Sequence, residues 1–281
     1  MPHSEVFKQK LGSKDFLKLK SYVENYCGIK LSETKRNMVE GRLRKRMKAL
    51  GITSYKDYLE YAFEDINSAE QVNLINVLTT NKTDFFREPN HFEILKERVL
   101  PQLAVSFGVG THTDLKVWSA GCSTGEEPYT LSMVLAEYYG LDKGYKITAT
   151  DICTDVLAKA RKGIYSEEKA MDIPYDYKKK YLMRSIERER KLVRFKPDIR
   201  SKIKYARLNL KNREYNLPEK VDIAFCRNVI IYFDHKTQEE IINRICSFIR
   251  PGGFLFLGHS ESVHGMNLPI KVFAPTVYLR V

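Results

Sequence analysis

Through the first 88 or so positions, apolar residues recur at helical spacing. SKDFLKLKSYVENYCG, SETKRNMVEGRLRKRMKALG, TSYKDYLEYAFE and SAEQVNLINVLTTN each carry the pattern, and none shows the period of two that a half-buried strand requires. Ser32 and Thr53 stand where N-caps are needed, and Gly28 and Gly51 fall where helices would stop. The pattern predicts a small all-α domain over residues 1–88. HFEILKERVLPQLAVSFG adds one more helix, broken at Pro101, whose ring removes a backbone N–H and crowds the turn before it.

After the loop SFGVGTHTD the pattern changes to strands alternating with helices. KVWSAG, KITATDI, VDIAFCRN and FLFLGHS have the short apolar runs of buried strands. PYTLSMVLAEYYG, TDVLAKARKGIY and TQEEIINRICSFIR lie between them as helices, and KVFAPTVYLRV closes the chain as a hairpin. Alternating βα units predict an α/β domain over residues 89–281, a mostly parallel sheet covered on both faces. KLVRFKPDIRSKIKYARLNL breaks the rhythm and predicts a strand-rich insert at about residues 186–207.

At 281 residues and 43% hydrophobic, the chain can bury a sizeable core. No apolar run approaches the length that spans a bilayer. MPHSEVFKQKLGSKDF is too charged for a signal peptide, so the expected location is cytoplasmic. The five cysteines are scattered without C-x-x-C spacing. They predict buried thiols rather than disulfides or a metal site. The net charge of +12 favours an anionic partner: nucleic acid, an anionic membrane surface or an acidic protein.

The stretch KVWSAGCSTGEEPYTL admits two chemistries. Gly121-Cys122-Ser123-Thr124-Gly125 matches the G-x-S-x-G nucleophile elbow of esterases. It is also a strand, a glycine turn and a helix start, the usual seat of a nucleotide-like cofactor. An elbow follows several strands of its sheet, whereas here the turn follows the first. Asp151 ends the second strand, where an acid accepts ribose hydroxyls or caps the next helix. Neither a dinucleotide fingerprint nor a phosphate loop is present. A ribose-bearing cofactor without a phosphate requirement remains, and S-adenosylmethionine fits. Glu127, held extended by Pro128, would face its cationic end or simply favour the helix N-terminus. CRNVIIYF puts Asn228 and Tyr232 beyond a strand end, at the edge where open α/β sheets bind ligands.

Six segments, NKTDFFRE, WSAGCSTGEEPYT, ATDI, LNL, CRNVIIYF and PGGFLFLGHSE, closely resemble the chemotaxis receptor methyltransferases, the CheR family. The resemblance implies a class I S-adenosylmethionine-dependent methyltransferase sheet behind a helical receptor-recognition domain. It implies methyl transfer to glutamate side chains of methyl-accepting chemotaxis receptors, giving γ-glutamyl methyl esters and S-adenosylhomocysteine. By matching position, Asn81, Thr83, Arg87, Glu127, Asp151, Asn209, Leu210, Asn228 and Val229 would contact the cofactor. Arg87 and Tyr232 are the candidates for holding the acceptor carboxylate, unless Arg87 only pairs with Asp84 or Glu88. Arg42, Lys45 and Arg46, beside the apolar stripe of VEGRLRKRMKALG, and Lys48 further round would read an acidic methylation helix or form a solvated face. The protein would meet the membrane only through the receptor. Many members dock a receptor pentapeptide on a glycine turn in the insert; MRSIERERKLV has no glycine there, and the resemblance does not extend to that docking. RNA methylation and a nucleic-acid-binding module without catalysis remain alternatives, although no nucleic-acid partner is expected.

Overall fold

The computed structural model describes residues 10–281 except 65, 67, 111, 142 and 143. Four helices come first: α1 (Ser13–Cys27), α2 (Arg36–Leu50), α3 (Tyr55–Phe63) and α4 (Ser68–Leu78). Their apolar stripes meet in one core, with Phe16, Leu19 and Val23 of α1 against Val39, Leu43 and Met47 of α2 and Leu74 and Ile75 of α4. Gly28 and Gly51 close α1 and α2 in the left-handed conformation, at φ 77° and 73°, which glycine adopts without steric cost. The cap of α3 is Ser54 rather than Thr53: its hydroxyl accepts the Asp57 N–H at 3.3 Å.

The following helix is continuous rather than broken at Pro101. It runs through α5 (Asn90–Ile94), a π turn (Leu95–Val99) and α6 (Leu100–Phe107). Leu100 N–H reaches back five residues to the Leu95 carbonyl. This wider turn absorbs the crowding and the lost donor that a proline imposes.

Beyond it, the chain forms β1 (Leu115–Ala120), α7 (Glu126–Tyr139), β2 (Tyr145–Asp151), α8 (Thr154–Lys162), β3 (Ile164–Ser166), α9 (Tyr175–Tyr181), β4 (Leu182–Arg184), β5 (Leu192–Phe195), α10 (Pro197–Ser201), β6 (Ile203–Arg207), β7 (Val221–Cys226), α11 (His235–Phe248), β8 (Ile249–Leu257), β9 (Ile270–Ala274) and β10 (Val277–Arg280). The main sheet has the order β6-β2-β1-β7-β8-β10-β9. It is parallel from β6 to β8, and β10 pairs antiparallel with β8 and β9. Its two faces bury separate clusters, Val117, Ile147 and Phe225 on one and Trp118, Ala224 and Leu255 on the other. Strand order reverses between β1 and β7, so their carboxyl ends diverge into a crevice.

The strand-rich insert is larger and earlier than residues 186–207. It is a second sheet of order β3-β5-β4, spanning residues 164–195. Residues 203–207 belong instead to β6, the edge of the main sheet. Gly163, at φ 60°, stops α8 early and frees Ile164–Ser166 to become a strand. The β4–β5 loop makes its left-handed turn at Lys191, φ 47°, without a glycine. All five cysteines are free and buried. Among the described residues no helix is long and apolar enough to cross a membrane.

Candidate active site at the carboxyl edge of the sheet

A cleft opens where β1, β2 and β7 end, and α1, α2 and the segment after α4 close its other side. Gly121 carries β1 into it at φ 80°, and a Cβ there would stand 2.4 Å from Val229 Cγ2. Only glycine lets the two turns meet so closely. Ser123, left-handed at φ 48°, is buried. Its N–H donates to Asp151 Oδ2 at 2.8 Å and its hydroxyl to the Asn81 carbonyl at 2.9 Å. The hydroxyl is spent on backbone, and among the described residues no histidine bonds it. A general base within hydrogen-bond reach is what a serine nucleophile needs. Ser123→Ala is expected to lower activity a few-fold at most, and a fluorophosphonate probe to leave Ser123 unlabelled. Stoichiometric labelling of Ser123 would restore the esterase.

Asp151 is 8% exposed and accepts one backbone N–H on each oxygen, Ser123 at 2.8 Å and Cys153 at 2.9 Å. Burial raises its pKa against those bonds. It therefore pins the glycine turn and the entry to α8 together. A carboxylate has about four lone-pair positions, so it keeps acceptor capacity for ligand hydroxyls. Ile152, Leu208 and Leu210 give the cleft beside it an apolar wall. Asn209 also lines it; its amide donates to the Tyr26 carbonyl at 2.7 Å, tying the cleft to α1.

Glu127 lines the cleft from the first turn of α7, helical rather than extended. Pro128 is accommodated there because N–H groups of a first turn have no helical acceptor to lose. Glu127 is held by Ser119 Oγ at 2.7 Å and Arg227 Nε at 2.8 Å. Arg227, a residue the sequence reading passed over, also reaches the Arg87 carbonyl at 2.9 Å and Glu88 at 3.4 Å. Burial alone would raise the Glu88 pKa, but Arg227 and its hydrogen bonds hold it below the ordinary value. Burial and Arg227 push His91 down to about 4. Two carboxylates thus share one guanidinium beside a neutral histidine. Glu88, His91 and His259 offer ligand atoms within 4.8 Å of one another. Arg227 stands 3.0 Å from His91 Nδ1, and so fixed a cation opposes a metal ion.

Glu261 also escaped the sequence reading. It is 5% exposed and accepts the N–H groups of Asn228, Val229, Ile230 and Gly258 at 2.9, 2.8, 2.9 and 2.6 Å. This carboxylate shapes the turn that presents Asn228, left-handed at φ 57°, and Val229 to the cleft. The sequence signal was Ser-Glu just past a strand end, too common to single out.

Asn81, Thr83 and Arg87 line the cleft from the segment after α4. The two carboxylates expected to pair with Arg87 are engaged elsewhere, Asp84 with Lys169 at 2.6 Å and Glu88 with Arg227. Among the described residues the Arg87 guanidinium has one long hydrogen bond, 3.4 Å to the Lys82 carbonyl, and no ion pair. Tyr232 lines the same cleft, with Lys35 Nζ 5.8 Å from its ring centre.

The four basic residues of α2 lie outside the cleft. Arg42 donates to the carbonyls of Leu78 and Thr79 at 2.7 and 2.8 Å. Arg46 grips buried Glu70 with two nitrogens, Nε at 2.9 Å, and the Tyr58 hydroxyl joins them. Both arginines hold α2 to α4, while Lys45 and Lys48 are exposed.

Residues 81–279 match the family model described as CheR methyltransferase, SAM binding domain, and residues 14–79 match CheR methyltransferase, all-alpha domain. The chain is 38% identical to the chemotaxis protein methyltransferase of Salmonella typhimurium over 269 residues, 95% of this chain and 90% of that protein. It is also 38% identical to the Escherichia coli protein of that name, over 95% of this chain and 91% of the other. Its identity to the Borreliella burgdorferi protein is 36%, covering 91% and 90%.

Proposed function

Because this chain belongs to the CheR methyltransferase family, we propose that the cleft binds S-adenosylmethionine and methylates glutamate side chains of chemotaxis receptors, leaving S-adenosylhomocysteine. The seven-stranded sheet behind a helical domain is the class I S-adenosylmethionine-dependent methyltransferase fold. One observation carries the site assignment. Asn81, Thr83, Arg87, Glu127, Asp151, Asn209, Leu210, Asn228 and Val229 all line a single cleft, with Tyr232 among them. The donor set suits the cofactor: a buried carboxylate with spare acceptor capacity for a ribose, an apolar wall for a base, and the Glu127 carboxylate for a cationic amino-acid end. When bound, the cofactor would supply an electrophilic methyl group on a cationic sulfur for transfer to the acceptor carboxylate.

The acceptor glutamate, with a reference pKa of about 4.3, is already ionised at neutral pH, so no general base is required. The protein's task is orientation, which can account for roughly 7–11 kcal/mol of barrier in well-aligned systems. Arg87, which makes no ion pair among the described residues, offers a bidentate grip, and the Tyr232 hydroxyl a further donor. The exposed Lys45 and Lys48 suit an acidic methylation helix of the receptor. The protein works from the cytoplasm and meets the membrane only through that receptor.

The two ends separate by kinetics. Charge reversal at Lys45 and Lys48 is expected to raise the receptor KM and leave cofactor affinity unchanged. The effect should weaken as salt rises, because exposed charges are screened over about 8–10 Å at physiological ionic strength. Reversal at Arg42 and Arg46 is expected to destabilise the helical domain as well, since it strands buried Glu70. Arg87→Ala is expected to lower kcat. Unchanged receptor KM in the lysine variant would make α2 a solvated face, and unchanged kcat in Arg87→Ala would remove that residue from the reacting centre.

A further inference from the structure

Lys169 belongs to the turn between β3 and α9, and its backbone is fixed to the small sheet. Its N–H donates to Ser166 Oγ at 3.1 Å, and the neighbouring Glu167 N–H donates to the Lys191 carbonyl at 2.8 Å. The side chain crosses to the segment that carries Asn81, Thr83 and Arg87. There Nζ donates to the Thr83 carbonyl and to Asp84 Oδ1, the latter at 2.6 Å, and lies 3.8 Å from Glu126 Oε1. Glu126 is 1% exposed, in the first turn of α7.

Buried Phe85 already packs the segment on Tyr165 and Phe195 of the small sheet, and Lys169 adds a polar tie to the same sheet. The segment passes through two left-handed non-glycine residues, Phe86 at φ 51° and Glu88 at φ 55°, a conformation that persists only where surrounding contacts enforce it. The Asn81 carbonyl is held by Ser123, the Phe86 N–H by Thr130 Oγ1 and the Arg87 carbonyl by Arg227. Between those points, among the described residues, Lys169 is the one side chain from outside the segment that hydrogen-bonds residues 82–85.

We propose that Lys169 is a positioning residue for methyl transfer: it ties the cofactor-binding segment to the strand-rich insert and sets where Thr83 and Arg87 stand in the cleft. The proposal rests on the functional reading above and adds a residue from outside the cleft to it. A lysine is suited to the task because one ammonium offers several donors: it hydrogen-bonds two acceptors of the segment and keeps its charge 3.8 Å from Glu126. Displacement of Arg87 by a fraction of an ångström would misalign the acceptor carboxylate.

The test uses the full-length protein with Lys169→Met, Lys169→Arg and Asp84→Asn. Affinity for S-adenosylhomocysteine is measured by calorimetry, kcat and KM with receptor-containing membranes, and thermal stability alongside. Lys169→Met is expected to lower kcat about tenfold, of the order that small misplacements produce, and to weaken S-adenosylhomocysteine binding, with receptor KM unchanged. Lys169→Arg should restore most of the loss. Asp84→Asn, which leaves Glu126 with its cation, should show a smaller loss of the same kind. Weakened binding in Lys169→Met beside a wild type that methylates no receptor would keep the clamp and overturn the receptor reading. Unchanged kcat and affinity in Lys169→Met would overturn the proposal. So would equal losses in the Met and Arg variants that follow a fall in melting temperature.

Discussion

Glu261→Ala is expected to destabilise the fold by at least about 3 kcal/mol and to abolish measurable cofactor binding. Four backbone N–H groups converge on this one carboxylate. Each buried donor left without an acceptor costs about 1–3 kcal/mol, less where water can replace the lost oxygen. Asn228 is held in a left-handed conformation that the same bonds enforce, so the turn would relax and withdraw Asn228 and Val229 from the cleft. Glu261→Gln should fall between, because one of its two terminal groups is a donor facing donors. Denaturant unfolding and S-adenosylhomocysteine calorimetry on both variants check this. A folded Glu261→Ala protein with wild-type midpoint and affinity would show that the turn is held by something else.

Asp151→Ala is expected to weaken S-adenosylmethionine binding by about 1.5–3 kcal/mol, roughly ten- to a hundredfold. The fold should survive with reduced stability, because the buried Ser123 and Cys153 N–H groups lose their acceptor. Part of the loss would come from the glycine turn, which Asp151 pins. Asp151→Asn retains one acceptor oxygen and should lose less. Unchanged affinity in folded Asp151→Ala would take this carboxylate out of the site.

The helical beginning, the α/β alternation and the closing hairpin were legible because burial imposes periods of 3.6 and 2 on a sequence. The capping glycines were legible because a left-handed helix stop favours that residue. The insert was not. Gly163 stops α8 within a helical-looking run, and Ile203–Arg207 pairs with β2, a long-range choice that local pattern does not encode. Pro101 misled for a related reason: a π turn is a tertiary accommodation, not a propensity. In the site, motif matching found ten of the residues that line the cleft but missed Arg227 and Glu261, which hold several of them in place. Arg227 acts through partners 100 to 140 residues away and Glu261 chiefly through partners 31 to 33 residues away, and nothing in their neighbours along the chain marks that. The same blindness affected α2, where Arg42 and Arg46 look like Lys45 and Lys48 in sequence but are committed to α4 and Glu70.

The central claim is that this cleft makes carboxylate methyl esters on a chemoreceptor. Its most direct test is incubation of the purified protein with methyl-labelled S-adenosylmethionine and receptor-containing membranes, followed by mild base. Label is expected to appear on the receptor band and to leave it as methanol after base treatment, because a γ-glutamyl ester hydrolyses where N- or C-linked methyl groups do not. Base-stable label, or label recovered in RNA rather than in the receptor, would contradict it.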